Sequence, residues 1–269
     1  MDHLLRGIAP ISDTAWSRVD EEAKERLVPQ LGARRIADFT GPAGWGHSSV
    51  SLGRTERVDG PTGTDAGAVV ARRRTVLPLA EVRVPFTVAR TELEDAERGA
   101  KDLELDDLER AAREMARLEN CAVFHGWPAA GIEGIVPASP HEALSLGTDA
   151  ARYPGVIAHA VERLRLAGVE GPYALAIGPT GYTRIMEATE ETGQLLLNHL
   201  TQILGGSVVW TPGLEDAAVL SQRGDDFHLT VGQDLSVGYS HYDADSVYLY
   251  LEESFTFRVT EPDAAIPLS

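Results

Sequence analysis

Arg90 to Gly126 reads RTELEDAERGAKDLELDDLERAAREMARLENCAVFHG, and its second half has the period of one long amphipathic helix. Leu105, Leu108, Ala112, Met115, Glu119, Ala122 and Val123 fall close to one stripe, and all but Glu119 are apolar. Asp106, Glu109, Arg110, Arg113 and Arg117 take the other side. Asp106–Arg110 and Glu109–Arg113 sit four apart with signs that favour a helix. Asp106 and Asp107 put negative charge at the N-terminus, and Gly126 then Pro128 stop the element. About twenty helical residues span roughly 30 Å, the width of a small domain. A rod of that size carrying no catalytic constellation is a scaffold.

The last part of the chain supplies a second long element. Val247, Leu249, Leu251, Phe255, Phe257 and Val259 alternate onto one face, interrupted by Glu253. Tyr248, Tyr250, Glu252, Ser254, Thr256 and Arg258 lie on the other. Between helix and strand, GWPAAGIEGIVPASP (126–140) reads as a Gly/Pro-rich hinge. Residues 149–220 follow as a compact α/β unit. It has helices at 154–167, 182–187 and 195–204, and strands at 173–177, 207–210 and 217–221, with the polar loop EATEETG after the second helix.

Upstream, Asp13 or Ser12 can cap a helix that carries Trp16, Val19, Ala23 and Leu27 at helical spacing and ends at Pro29 and Gly32. Residues 34–39 read as a short extended segment, and GPAGWG (41–46) as a loop without the strand-loop-helix setting of a phosphate cradle. Residues 48–77 form a hairpin around DGPTGTDAG, and its strands are crowded with Arg54, Glu56, Arg57, Arg72, Arg73 and Arg74. An isolated two-stranded hairpin is marginal in water, so this arm either lies solvated on its own domain or needs another surface, such as a second subunit. Residues 79–90 extend from it into the long helix.

Composition narrows the function classes. The 269 residues are 43% hydrophobic, enough for a large core, and carry a net charge of -17 that argues against nucleic-acid binding. One cysteine, Cys121, allows no internal disulfide, which fits a reducing, cytoplasmic setting, and MDHLLRGIAP has no apolar core of signal-peptide length. The uncharged run Leu195 to Leu214 contains Asn198, Gln202, Gly205, Gly206 and Pro212, which excludes a membrane span. No G-x-S-x-G, P-loop, H-E-x-x-H or C-x-x-C occurs, and no Glu precedes a His by three residues as in di-iron bundles. His241, Asp243 and Asp245 are the one local group with metal-like chemistry, at a position where Asp is a common turn residue; no metal is assigned there. Cys121 reads as a small apolar helix residue.

The segments LLRGIAPISDTAW, RRIADFTGPAGW, ELEDAERGAKD, AGIEGI, EGPYALAI, LSQRGDDFHLTVGQDLSVGYSHYD and EESFTFRV occur in this order from residue 4 to residue 259. This collinear set resembles the encapsulins, also called linocin-type bacteriocin family proteins. The resemblance implies an α+β fold like that of tailed-phage major capsid proteins, the Hong Kong 97 type. It divides the chain into an N-terminal helix and arm (1–45) on the lumen side of a P-domain, an E-loop hairpin (46–78), the P-domain with its spine helix (79–135), an A-domain (136–220) and the C-terminal P-domain strands (221–269). It further implies a cytoplasmic icosahedral homo-oligomer, of about 60 subunits by closed symmetry, with no enzymatic activity of its own. That shell would enclose a dye-decolorising peroxidase or ferritin-like iron oxidase bearing a C-terminal targeting peptide, in the service of oxidative-stress defence or iron storage. Neither nucleic acid nor membrane is an expected partner. No cofactor is required, and a flavin, reported for some members, has no residue pattern to locate it here. By resemblance, the targeting peptide lies in a groove at Leu27, Arg34, Ile36, Asp38, Asp234, Leu235 and Val237, with Arg34 and Asp38 fixing its direction. Glu187, Glu190, Glu191, Thr192 and Gly193 would line a pore on the fivefold axis. Two alternatives stand beside this reading: a phage or prophage capsid protein, which shares the fold, and a protease of the kind that a bacteriocin label suggests, for which no nucleophile–base pair is visible.

Overall fold

The computed structural model describes residues 3–61, 70–188 and 195–269. Helix α1 (Asp13–Leu27) starts where the Ser12 hydroxyl accepts the Ala15 N–H at 3.3 Å, and it buries Trp16, Val19, Ala23 and Leu27 on one side. Ser12, not Asp13, is therefore the cap. The stretch expected to be extended, residues 34–39, is extended only from Asp38, where strand β1 (Asp38–Thr40) begins; its first two residues end the 3-10 turn Ala33–Arg35, which follows a similar turn, Val28–Gln30. The buried Asn120 amide causes this: it accepts the Ala33 N–H at 2.9 Å and donates to the Gln30 carbonyl at 2.8 Å, pinning the turn from both ends. Strands β2 (Ser49–Val58) and β3 (Ala71–Pro78) pair antiparallel with each other alone among the described residues, and none of their residues is buried.

Strand β4 (Ala80–Ala89) runs into α2 (Arg90–Arg98), which ends on Gly99 at φ +102°. The long helix α3 spans Asp106–His125, and every residue of the expected stripe is buried, Glu119 included. Arg113 meets Glu109 at 3.4 Å as expected. The expected Asp106–Arg110 pair is replaced by Asp107–Arg110 at 2.8 Å, because Asp107 is already held against β4 by accepting the Thr87 N–H at 2.7 Å. The expected hinge after α3 is instead a packed turn. Gly126 and Gly134 approach so closely that a Cβ at Gly134 would lie 2.2 Å from the Gly126 nitrogen, and Ile132 and Ile135 are buried. A short α4 (Ile135–Ala138) closes this turn.

Then come α5 (Tyr153–Leu166), β5 (Tyr173–Ile177), α6 (Pro179–Glu187), α7 (Leu196–Leu204), β6 (Val208–Trp210) and β7 (Ala217–Ser221), close to the limits read from the sequence. Strand β5 is buried along its whole length, and both α5 and α7 pack against this unit. Three more strands follow: β8 (Phe227–Val231), β9 (Ser236–Tyr242) and β10 (Ser246–Val259). Strand β10 is the axis of the larger sheet. One edge pairs with β4 over Ser246–Phe255; the other pairs first with β9 and then with β8, which carries β1. Its expected apolar face is buried apart from Val259, which is half-buried, but so are Tyr250, Glu252, Ser254 and Thr256 on the opposite face. Alternation marks one buried face and says nothing of a strand covered on both.

The chain ends differently from its expected division. Residues 221–269 do not all join the sheet of β10: the last strand, β11 (Ala265–Leu268), pairs antiparallel with β7 in the smaller sheet, whose order is β11-β7-β5-β6. All four of its residues are buried, so the apolar tail AIPL closes an edge that β7 would otherwise expose. The two sheets are thus tied by a chain that leaves the smaller one after β7 and returns to it at the C-terminus.

Candidate functional site

A groove of about 430 Å³ lies between α1 and β9. Its floor is apolar, from Ala23, Leu27, Leu31, Val237 and Leu251, all buried, while Val28 stands 56% exposed on the rim. Helical spacing from Ala23 to Leu27 carries the apolar face of α1 down to this floor, and the turn at Pro29 brings Leu31 beneath it. The N-terminal segment closes one end. The Tyr239 N–H donates to the Leu4 carbonyl at 2.8 Å, the Tyr250 hydroxyl reaches the His3 carbonyl at 3.5 Å, and the His3 ring stacks on Trp45 at 4.9 Å.

Most charges around the groove are already committed. Arg6 forms a bidentate pair with Asp20 at 2.6 and 3.0 Å and lies over the Trp16 ring. Arg34 reaches three carboxylates at once: Glu119 at 2.8 Å, Asp234 at 2.8 Å and Glu253 at 2.5 Å. Burial alone would lower the Arg34 pKa, but Glu119, Glu253 and Asp234 outweigh it and push the guanidinium above its ordinary value. Burial raises the Glu253 carboxyl well above the usual carboxylate range, and the neighbouring Glu119 charge adds to the rise. Among the described residues Lys24 is the cation on this groove without a carboxylate partner. The result is an apolar trough with one free ammonium at its side. That chemistry suits an extended peptide with aliphatic side chains, and nothing in the trough is arranged as a nucleophile with a base.

Five of the seven residues expected here line the groove: Leu27, Arg34, Asp234, Leu235 and Val237. Ile36 and Asp38 do not. Ile36 is buried in the core, and Asp38 faces the other way, its Oδ2 accepting the Asp225 N–H at 2.6 Å. The expected direction-fixing pair, Arg34 and Asp38, is therefore not one: Arg34 is saturated internally and Asp38 caps a loop. Leu4, Ala23, Lys24 and Leu31 also line the groove, beyond the positions expected there. Leu31 follows a turn, which periodicity cannot place, whereas Ala23 and Lys24 lie within one helical turn of Leu27, a signal that was available. Of the expected pore residues, Glu187 ends α6 with its side chain exposed. Glu190, Glu191, Thr192 and Gly193 lie outside the described residues.

The His241, Asp243 and Asp245 group is a turn. The Asp243 carboxylate accepts the N–H groups of Asp245 (2.9 Å) and Ser246 (2.8 Å) and the Tyr248 hydroxyl (3.0 Å), which lowers its pKa, and His241 stacks on Tyr248 at 4.2 Å. Among the described residues one trio of metal-ligating types sits together, Asp38, Asp225 and His228, with its ligand atoms within 4.8 Å of one another. It lies at the surface, and its hydrogen bonds serve the loop between Ser221 and Phe227. Cys121 is half-buried, its thiol against the Gly213 carbonyl, and burial raises its pKa away from a reactive thiolate.

Comparison with known proteins adds three findings. Residues 1–256 match the family model described as "Encapsulating protein for peroxidase". The chain is 50% identical, over all of its length and 96% of the relative's, to the type 1 encapsulin shell protein of Rhodospirillum rubrum. It is 39% identical over the full length of both chains to that of Mycobacterium tuberculosis. Among solved structures, the virus-like particle from Pyrococcus furiosus aligns over 96% of this chain and 98% of its own, with a TM-score of 0.64 at 16% identity. The capsid of the myovirus XM1 aligns over 90% of each chain, with a TM-score of 0.55 at 14% identity, so the shared property is the fold.

Proposed function

The chain belongs to the family of encapsulating proteins whose curated members are type 1 encapsulin shell proteins, and from that premise we propose that it assembles into a closed icosahedral shell enclosing a cargo enzyme. Its fold is that of the tailed-phage capsid proteins. The observation that carries the proposal is the β2–β3 hairpin. Ten and eight residues long, its strands have no buried residue and pair with nothing else among the described residues. Beyond the pairing of its own two strands, such an arm gains further apolar and hydrogen-bonded contacts from a neighbouring copy. The subunit acts as a wall and carries out no reaction itself.

The groove between α1 and β9 is the proposed seat of the cargo's C-terminal targeting peptide. Its buried floor takes alternate aliphatic side chains, and Lys24 draws a carboxylate of the peptide. The cargo is a dye-decolorising peroxidase or a ferritin-like iron oxidase. Ile36 is a poor test position because it is part of the core, whereas Val28 is exposed on the rim. Val28→Asp should leave particles intact when the shell is co-expressed with a peroxidase bearing its C-terminal extension, and those particles should be at least ~10-fold depleted in cargo, equivalent to about 1.4 kcal/mol of lost binding. Wild-type loading in that variant rules out the groove.

A further inference from the structure

Strand β10 and helix α3 each place a carboxylate where periodicity calls for an apolar residue, and the fold brings the two together. Glu119 and Glu253 have side chains with no exposed surface, and both reach Arg34. One cation thus stands between two fully buried anions, with Asp234, 39% exposed at the side chain, as a third. Among the described residues no group donates a hydrogen bond to Glu119 Oε1 or Glu253 Oε2. Two buried carboxylates sharing one counter-ion cannot both stay charged at ordinary cost; a single proton makes the buried set of Arg34, Glu119 and Glu253 neutral and turns one idle acceptor into a donor for the other. We propose that Glu119 and Glu253 hold one proton between them, and that this proton locks the turn of residues 30–36 onto α3 and β10, so that its loss in alkaline solution frees the wall of the groove.

The surroundings support a lock at this place. Arg34 and Asp234 form part of the groove wall, and the Arg34 guanidinium also lies 5.1 Å from the centre of the Phe39 ring. The charged groups facing Glu253 are Glu119 from α3, Arg34 from the turn and Asp234 from the β8–β9 connection. On β4, Val82 is its ladder partner, and Arg83 is committed to Glu252 at 2.6 Å. Among the described residues Arg34 is the cation that pairs with Glu119 and Glu253, and no second one stands ready to take up the charge when the proton leaves. Burial and the Glu119 charge both favour the protonated form of Glu253.

Infrared spectroscopy of the assembled wild-type protein tests this directly, since a protonated carboxyl has a C=O stretch resolved from that of carboxylates. At neutral pH the wild type should show this band, and E253Q and E119Q should each lack it, because a glutamine amide supplies the donor without a titrating proton. Raising the pH until the band bleaches should lower the protection of residues 30–38, taken as exchange relative to the base-catalysed rate of an unstructured chain at the same pH, at least ~10-fold in the wild type, as local opening predicts, and not in whichever glutamine variant assembles. Absence of the band from the wild type at neutral pH, its survival in both variants, or bleaching without loss of protection in residues 30–38 would overturn the proposal.

Discussion

Arg34 is held by residues from three distant parts of the chain: Glu119, 85 positions away, Asp234, 200 away, and Glu253, 219 away. The sequence showed the two glutamates as interruptions of apolar faces, one on the helix stripe and one on the strand. It did not show that they answer each other, because nothing local links position 34 to either. A carboxylate on a buried face must find a cation or a proton, which the patterning of each element implies on its own. Arg34→Met should cost about 3–5 kcal/mol in denaturant unfolding, since it leaves buried carboxylates without their cation. A loss under ~1 kcal/mol would mean that the pairs contribute as surface pairs do. The pH dependence has a definite sign. A carboxyl whose folded pKa is raised binds more protons in the folded state, so its contribution is most favourable near and below the unfolded value, about 4.3 for Glu, and is lost as pH rises through the raised folded value. Wild-type melting temperature should fall faster than that of E253Q as pH rises above this point. An equal or slower fall would show that Glu253 is ionised in the folded protein across the range.

At the scale of elements, the long helix, the long strand and the α/β unit were legible because each is long, strongly patterned and bounded by Gly or Pro. The 3-10 turns at 28–35 were not, since they exist to satisfy the side chain of Asn120, more than eighty positions downstream. The membership of β11 was hidden for a related reason: four apolar residues at a terminus announce a buried strand and not which edge receives it. The hairpin was legible by what it lacked. Arg73 meets Glu56 at 2.8 Å and Arg72 meets Thr55 at 3.2 Å, yet these contacts are exposed and worth little. Deleting residues 55–70 should therefore leave the subunit's circular dichroism unchanged apart from the lost strand, while lowering particle yield at least ~10-fold, the change for about 1.4 kcal/mol per contact. Normal yield of particles with unchanged melting would show that the arm contributes nothing to assembly.

The whole molecule is an acidic chain whose two larger sheets are tied together by β11, with an exposed two-stranded arm and an apolar groove against α1. The net charge of -17 sets copies of the chain against each other at long range, so short-range contacts have to hold them. The family was legible from seven collinear segments; five of the seven positions expected at the peptide site line the groove, while Ile36 and Asp38 lie outside it, beyond the turn whose winding the sequence did not reveal. The central claim is that one chain, without partner or nucleic acid, closes into a shell. Mass photometry of the purified chain at physiological salt, followed by electron microscopy of the same sample, tests it most directly. A single megadalton species, seen as hollow particles of icosahedral symmetry with each β2–β3 hairpin lying on a neighbouring subunit, is the predicted result; a monomer or dimer at micromolar concentration would contradict it.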